Sequence, residues 1–219
     1  MNTLLAQYWD RYATGLGARQ AAENPDGDHR FEWTQYPGHG PGDELLGQPA
    51  TSLELGSGRG RAVAYLARKG VKATGIDLSP VQCENARQRW GDVPGATFVQ
   101  AEALTFLSSH EQSYDAIYSV WGCLWFSDPE TLLPLVRTHL NPGGTVAFSH
   151  APAVPGSYGV QGMYGEGFTG RQLWVHRWAY PPETWADILD RHGFTHIEAG
   201  ILDAPDPANV GTLIVQAKA

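Results

Sequence analysis

A glycine-rich segment, Glu54 to Gly60, carries the clearest chemical signal in this sequence. Its glycines stand at positions 56, 58 and 60, directly after the apolar run 51–55. Glycine adopts backbone conformations that other residues avoid, so a ligand can lie directly against such a turn. The turn opens a predicted helix, whose free N–H groups favour an anionic or polar ligand group. A tight strand-to-helix connection without any ligand would have the same sequence.

Acidic side chains follow the next two predicted strands. Asp77 ends the second apolar run, and its carboxylate can accept hydrogen bonds from both hydroxyls of a ribose. Glu102 follows the third run, where a carboxylate can accept a hydrogen bond from an adenine amino group. Taken alone, Asp77 could instead help to cap the helix that begins at Ser79, and Glu102 could be solvated surface. A glycine turn and two acids at three successive strand ends together favour an adenosine-type ligand.

Alternating strands and helices must position these residues. Short apolar runs predict strands at 51–55, 71–76, 97–100, 114–120 and 145–149. Segments with one apolar face predict intervening helices at 61–69, 80–90 and 132–140. A helix over 183–192 and two late strands over 195–199 and 212–217 follow, and those two strands could pair antiparallel at one edge. The order predicts an α/β fold, a parallel sheet with helices on both faces and a ligand site at the carboxyl ends of its strands.

Two segments outside this alternation are predicted to cover the site. A short helix over 3–12 has aromatic residues along one side, and an irregular stretch over 23–49 follows it. A Pro- and Gly-rich insert over 150–182 follows the fifth strand. We expect one domain over residues 1–219, with 1–50 as an N-terminal lid and 150–182 as a substrate lid.

The composition argues against several function classes. The chain has 219 residues and a formal net charge of −8 with scattered basic residues, so nucleic acid is not an expected partner. Its two cysteines, Cys83 and Cys123, lack metal-ligand spacing, so no metal site is predicted. No segment approaches the roughly 20 apolar residues of a membrane span, and the N-terminus lacks a signal-peptide pattern. No membrane partner is therefore expected, and the expected location is cytoplasmic.

Taken together, the motifs resemble the class I S-adenosylmethionine (SAM)-dependent methyltransferases. The segments that match the family's sequence motifs are residues 54–60, Asp77, 101–103, 114–119 and 140–145. Glu102 departs mildly from the pattern, because the family usually has Asp at this position. The resemblance covers residues 51–149 and implies a Rossmann-like sheet of seven strands, mostly parallel, with an antiparallel last strand.

The resemblance also implies SAM as the methyl donor and S-adenosylhomocysteine (SAH) as the product. It assigns Asp77 to the ribose, Glu102 to the adenine and the N-terminal aromatic helix to a cover over the cofactor. Tyr12 is the preferred contact from that helix, although it could equally be a core residue. The residues expected to bind the cofactor are Tyr12, Glu54, Gly56, Ser57, Gly58, Asp77, Leu78, Glu102, Ala103 and Val120.

Aromatic residues of the lid segments and of the segment after the fourth strand are expected to form the acceptor pocket. An aromatic wall suits a planar or cationic small molecule. The expected acceptor contacts are Trp33, Tyr36, Trp121, Trp125, Tyr158, Tyr164 and Trp174. His150, at the end of the fifth strand, is the candidate general base, although a histidine satisfied by a loop carbonyl is the commoner case.

We therefore expect methyl transfer to an O or N atom of a small molecule by a monomer or homodimer. Twelve Arg against three Lys residues suits a GC-rich bacterial gene and suggests a secondary metabolite or its precursor as acceptor. A nicotinamide-dependent oxidoreductase is the main alternative, but Arg61 stands where its G-x-G-x-x-G fingerprint needs glycine. A peptide-modifying methyltransferase and a SAM-binding protein without turnover also stay open.

Overall fold

Seven strands form one central sheet. The computed structural model describes residues 3–15, 30–164 and 173–219. The strands of the sheet are β1 (Thr51–Leu55), β2 (Lys72–Asp77), β3 (Ala96–Gln100), β4 (Tyr114–Val120), β5 (Leu140–His150), β8 (Thr195–Leu202) and β9 (Thr212–Lys218). Their order is β3-β2-β1-β4-β5-β9-β8. Strand β9 is antiparallel to both neighbours, which confirms the expected mostly parallel sheet with a reversed last strand.

The central strands are buried on both faces of the sheet. In β1 every residue except Thr51 is buried, as expected for a parallel strand that is covered on both faces. Residues 141–144, Asn-Pro-Gly-Gly, have the sequence of a turn between the predicted helix 132–140 and the predicted strand 145–149, but in the structure they are part of β5. Tyr114 pairs with Leu140 and Ala116 with Thr145, so the extra residues between these pairs form an irregularity within the ladder.

Helices cover both faces of the sheet. They are α1 (Thr3–Thr14), α2 (Arg61–Arg68), α3 (Pro80–Trp90), α4 (Ala103–Ser109), α5 (Cys123–Phe126), α6 (Pro129–Thr138) and α7 (Pro182–Arg191), with a 3₁₀ turn over Asp43–Leu46. Side chains of α4, α6 and α7 share one buried cluster, and those of α2 and α3 share another with the segment 31–46. No helix in the described ranges combines the length and apolarity needed to cross a bilayer.

Local capping explains where several helices begin. The Ser79 hydroxyl accepts the Gln82 N–H at 3.1 Å, and Pro80 occupies the first turn of α3, as the sequence predicted. Helices α4 and α5 were not predicted, because seven and four residues are too short to show an apolar periodicity.

The insert after β5 contains a separate antiparallel hairpin, β6 (Gly159–Tyr164) and β7 (Trp174–Ala179). One side of this hairpin packs on α1, where Tyr8, Leu173 and Val175 form a small buried cluster. Residues 165–172 of the predicted insert lie outside the described residues, as do residues 23–29 of the predicted irregular stretch. The insert therefore contains regular structure that the sequence did not predict.

Candidate functional site

A cavity of about 900 Å³ opens at the carboxyl ends of β1, β2 and β4. Strand order changes direction here, since β1 lies between β2 and β4, and α/β folds bind their ligands at such a point. The glycine turn, the strand ends and one side of α1 form the wall. The cavity residues that the sequence predicted are Tyr12, Gly56, Ser57, Gly58, Asp77, Leu78, Glu102, Ala103, Val120 and Trp121.

The glycine turn needs glycine for two different reasons. Gly56 has φ +78°, and a Cβ there would lie 2.7 Å from the Cys123 backbone nitrogen, so the turn could not pack against the segment after β4. Gly58 has φ +51°, but a Cβ there would meet nothing closer than the Gln82 side chain at 3.9 Å. Its backbone therefore borders open cavity, which is the space that a ligand resting on the turn requires.

Asp77 lies at the end of β2 with its carboxylate on the cavity wall. One oxygen accepts the Gly58 N–H and the other accepts the Ser79 N–H, both at 2.8 Å. Burial raises the pKa of Asp77 to about 6, and these two backbone bonds oppose the rise. A carboxylate has about four acceptor positions, so the two backbone bonds leave capacity for a hydroxyl pair in the cavity.

Glu54 is the one predicted cofactor residue that does not line the cavity. Its side chain is buried behind the glycine turn, and the Tyr118 hydroxyl donates to it at 3.5 Å. Burial raises the pKa of Glu54 well above its usual range, and the nearby Asp77 charge raises it further. Glu54 therefore supports the turn from within the sheet, and the structure gives it no cavity contact.

Glu102 combines a structural contact with a position on the cavity wall. Its carboxylate caps α4 by accepting the N–H groups of Leu104 at 3.0 Å and Thr105 at 2.8 Å. The Thr105 hydroxyl also donates to it at 2.6 Å. These bonds hold the carboxylate in place, and its remaining acceptor positions are available to a donor in the cavity.

Helix α1 covers the cavity and is tied to the cofactor side of the site. Trp9 and Tyr12 line the cavity from this helix. The Ser79 hydroxyl donates to Asp10 at 2.5 Å, and the Arg59 guanidinium donates to the Ala13 carbonyl at 3.4 Å. Because Ser79 also donates its N–H to Asp77, the position of the helix is coupled directly to the Asp77 carboxylate.

The acceptor contacts predicted from the N-terminal segment lie elsewhere in the structure. Trp33 is fully buried in the core beneath the cavity, and its indole N–H donates to the Gly42 carbonyl at 2.8 Å. The Tyr36 hydroxyl donates to the Val210 carbonyl at 2.5 Å, which ties the segment to the loop before β9. The aromatic character of both residues serves packing and anchoring, so neither lines the cavity.

The acceptor contacts predicted from the insert are also away from the cavity. Tyr158, Tyr164 and Trp174 are each about half exposed on the outer side of the hairpin. Trp121 does line the cavity, and its indole donates to the Trp33 carbonyl at 2.9 Å. Trp125 lies directly behind this wall, with its ring centroid 5.8 Å from that of Trp121.

His150 is fully buried at the end of β5 and does not line the cavity. Its ring stacks on Trp125 at 5.2 Å between centroids, and its Nδ1 bonds the Ala151 carbonyl at 2.7 Å. Burial lowers the pKa of His150 to about 4, so the imidazole is neutral near pH 7. A role as general base stays a prediction, and it requires the Trp125 ring to move aside.

Several cavity residues were not predicted. They include Leu5, Trp9, Glu32, Thr34, Gln35, Arg59, Arg61, Gln82, Phe126 and Ser127. Arg59 and Arg61 stand within and beside the glycine turn, so their sequence position was a usable signal. Glu32, which lies 3.8 Å from Arg61, comes from an irregular segment, and only the folded chain shows that it reaches this site.

Comparison with known proteins agrees with this geometry. A family model described as a methyltransferase domain matches residues 53–148, the stretch that contains β1 to β5. A trans-aconitate 2-methyltransferase of Paracidovorax citrulli is 32% identical over 114 residues, which is 49% of this chain and 43% of that protein. The chain spans about half or less of the length of the curated relatives it matches first.

Solved structures match nearly the whole chain. The 1,6-didemethyltoxoflavin-N1-methyltransferase of Burkholderia thailandensis, solved with its substrate and SAH, has a TM-score of 0.63 at 22% identity. That match covers 95% of this chain and 83% of the other. The DhpI–SAH complex has a TM-score of 0.66 at 17% identity and covers 98% and 94% of the two chains. At these identities the similarity is one of fold.

Proposed function

We propose that the chain is a class I SAM-dependent methyltransferase that transfers the methyl group of SAM to an oxygen or nitrogen atom of a small molecule, which the matching methyltransferase-domain model and the curated relatives support. One observation carries the proposal. The glycine turn, Asp77 and Glu102 meet around a single cavity at the strand ends, with α1 as its cover. A secondary metabolite or its precursor is the proposed source of the acceptor, and a cytoplasmic monomer or homodimer stays the expected form.

The donor set fits SAM in its chemistry. Asp77 offers acceptor positions to the ribose hydroxyls, and Glu102 with Ala103 borders the adenine side. The part of SAM beyond the adenosine lies against the open backbone at Gly58, close to the start of α2. When bound, SAM supplies an activated methyl group on a sulfonium, so the protein has only to hold and align the reactants.

The chain's own contribution is orientation and exclusion of water. Trp9 of α1 and Phe126 of α5 contact each other at 4.7 Å between ring centroids, and both line the cavity. This contact closes the acceptor side against solvent and restricts the directions from which an acceptor can approach. No covalent intermediate is required, and an acidic acceptor group needs no base.

The names of similar proteins indicate which type of acceptor atom to propose first. The first curated relative is named for trans-aconitate, a carboxylate, and one structural neighbour is named for a ring N1 position. We therefore propose a carboxylate oxygen first and a ring nitrogen second. A carboxylate oxygen is already ionised near pH 7, which agrees with a cavity where the candidate base His150 is set back from the wall.

Calorimetric titration separates this proposal from the oxidoreductase alternative. The protein should bind SAM and SAH and show no binding of NAD or NADH at the same concentrations. Methyl-labelled SAM, incubated with the protein and pools of small carboxylic acids and nitrogen heterocycles, then reports which class accepts label. Tight NADH binding without SAM binding would overturn the proposal.

A further inference from the structure

Arg177 on β7 is a half-buried cation. Its guanidinium lies 5.5 Å from the centroid of the Trp125 ring, and its Nε donates to the Gln161 side-chain oxygen at 3.1 Å. Among the described residues no carboxylate forms an ion pair with it. In a chain of net charge −8, a half-buried guanidinium in an aromatic environment that has no carboxylate partner among the described residues is suited to bind an anion.

Three buried ring nitrogens beside Arg177 also lack partners. The Nε1 atoms of Trp125 and Trp185 and the Nε2 atom of His150 have no hydrogen bond within the described part of the chain. The rings lie together, since the His150 centroid is 5.2 Å from that of Trp125 and 5.5 Å from that of Trp185. A buried polar atom without a partner costs about 1–3 kcal/mol, so this cluster is suited to a polar guest.

The position of the ring hydrogen on His150 gives the cluster one hydrogen-bond acceptor beside its donors. Because Nδ1 bonds the Ala151 carbonyl, it carries the ring hydrogen, and Nε2 presents a lone pair. The two indoles present only N–H donors. A bound molecule could therefore accept hydrogen bonds from the Arg177 guanidinium and from the two indole N–H groups. It could also donate one hydrogen bond, from a hydroxyl or N–H group, to His150 Nε2.

This cluster adjoins the acceptor side of the cavity. Trp125 contacts Trp121 and Phe126 at 5.8 and 4.9 Å between ring centroids, and both of those residues line the cavity. The hairpin that carries Arg177 packs on α1, which covers the same cavity. The cluster therefore lies directly behind the cavity wall, one aromatic ring away from a small molecule bound in the cavity.

We propose that Arg177, Trp125 and His150 form the subsite that binds an anionic group, a carboxylate or similar oxyanion, of a planar methyl acceptor. The proposal rests on the proposed function, because it names the substrate class of the same enzyme. The guanidinium fork matches the two oxygens of a carboxylate, and the Trp125 indole can add an N–H donor. The Trp125 ring, which is stacked on His150 with an interplanar angle of 3°, gives the subsite a flat aromatic wall.

Two probes of equal shape and different charge test the subsite. The protein is first saturated with SAH, so that the cofactor positions are filled, and 2-naphthoate and 2-naphthamide are then titrated calorimetrically. We expect 2-naphthoate to bind at least ~10-fold more tightly than the amide, the size of one charge-assisted bidentate contact. R177Q should abolish that difference, and R177K should retain part of it.

Arg137 provides a matched control on a remote helix. Its Nε donates to the Gly193 carbonyl at 3.2 Å, far from the cavity lining, and R137Q changes the net charge by the same amount as R177Q. R137Q should keep the full preference for 2-naphthoate. W125F preserves an aromatic ring and removes one N–H donor, so we expect a ~3-fold loss of affinity for 2-naphthoate alone. This variant tests the subsite even if R177Q fails to fold.

The outcomes separate the subsite from the proposed function. Equal binding of acid and amide by the wild-type protein, or an unchanged preference in folded R177Q, would overturn the subsite while SAH binding kept the methyltransferase proposal intact. Absence of SAH binding would overturn the proposed function itself. A preference lost in R177Q and kept in R137Q establishes the anion site.

Discussion

At the scale of single residues, Asp77 is the proposed contact between the fold and the cofactor. It receives N–H donors from the glycine turn and from the start of α3, so it is held rigidly where β2 ends. Asp77→Ala should weaken SAM binding ~30- to 100-fold, since hydrogen bonds to a buried charged group contribute about 2–3 kcal/mol. Titration calorimetry measures this, and E130Q, which removes an exposed carboxylate on α6, should bind SAM normally. Equal affinities would remove Asp77 from the site.

The raised pKa of Asp77 predicts a pH dependence of SAM binding. Burial raises that pKa to about 6 in the free protein, and the ionised carboxylate is the form that accepts two hydroxyl hydrogens. Binding should therefore favour loss of the proton, and SAM affinity should increase as pH rises through about 6. Dissociation constants measured from about pH 5 to pH 8 test this. The profile of Asp77→Asn should be flat near pH 6, and a matching inflection there would assign the dependence to another group.

Substitution of His150 should have an effect on stability and an effect on catalysis that can be measured separately. Its ring is buried between Trp125 and Trp185, so His150→Ala should lower the free energy of unfolding by about 2–4 kcal/mol through lost packing. Denaturant unfolding measures that loss. Turnover of the folded variant tests the predicted base role separately. A ~100-fold fall in kcat at unchanged SAM affinity supports the role, and an unchanged kcat excludes it.

At the scale of secondary-structure elements, α1 acts as a cover that is fastened at Asp10. The carboxylate of Asp10 accepts the Ser79 hydroxyl, and Ser79 begins the helix after Asp77. Asp10→Ala should weaken SAM binding ~3- to 10-fold, mainly by faster dissociation, because about 1 kcal/mol of docking energy is lost. Stopped-flow measurement of SAH release tests this. Asp10→Asn keeps an acceptor oxygen for Ser79 and should behave nearly as the wild type, whereas normal release from Asp10→Ala would contradict the fastening.

At the scale of the whole molecule, cofactor binding should stabilise the fold. Its cavity is formed by the glycine turn, three strand ends and α1, so unfolding destroys the site and SAH binds only the native state. At 100 times its dissociation constant, SAH adds about 2.7 kcal/mol of stability, which raises Tm by roughly 5–10 °C in a chain of this size. Scanning calorimetry with and without SAH measures the shift. Asp77→Ala should show a much smaller shift at the same SAH concentration, and an equal one would contradict the prediction.

The sequence alone determined the sheet and the cofactor side of the cavity. Both follow from local patterns, since each strand, turn and helix start is encoded by neighbouring residues such as Gly58, Asp77 and Ser79. Parallel strands joined by helices must bring their carboxyl ends to one edge, so residues far apart in the chain meet there by topology. Eight of the ten predicted cofactor residues line the cavity for this reason, Tyr12 lines it from α1, and Glu54 lies one step behind it.

Only the tertiary structure decided the acceptor side. An aromatic residue buries equally well in a core, at an anchor or against a ligand, and nothing in the local sequence distinguishes Trp33 in the core from Trp121 on the cavity wall. In the hairpin, side chains alternate between two faces, so Trp174 points outward while the neighbouring Val175 is buried against α1. Arg177 is two residues after Val175, so its side chain lies on the same face of β7. This position places the guanidinium beside Trp125. The donor site is thus a property of local sequence, and the acceptor side is a property of long-range packing.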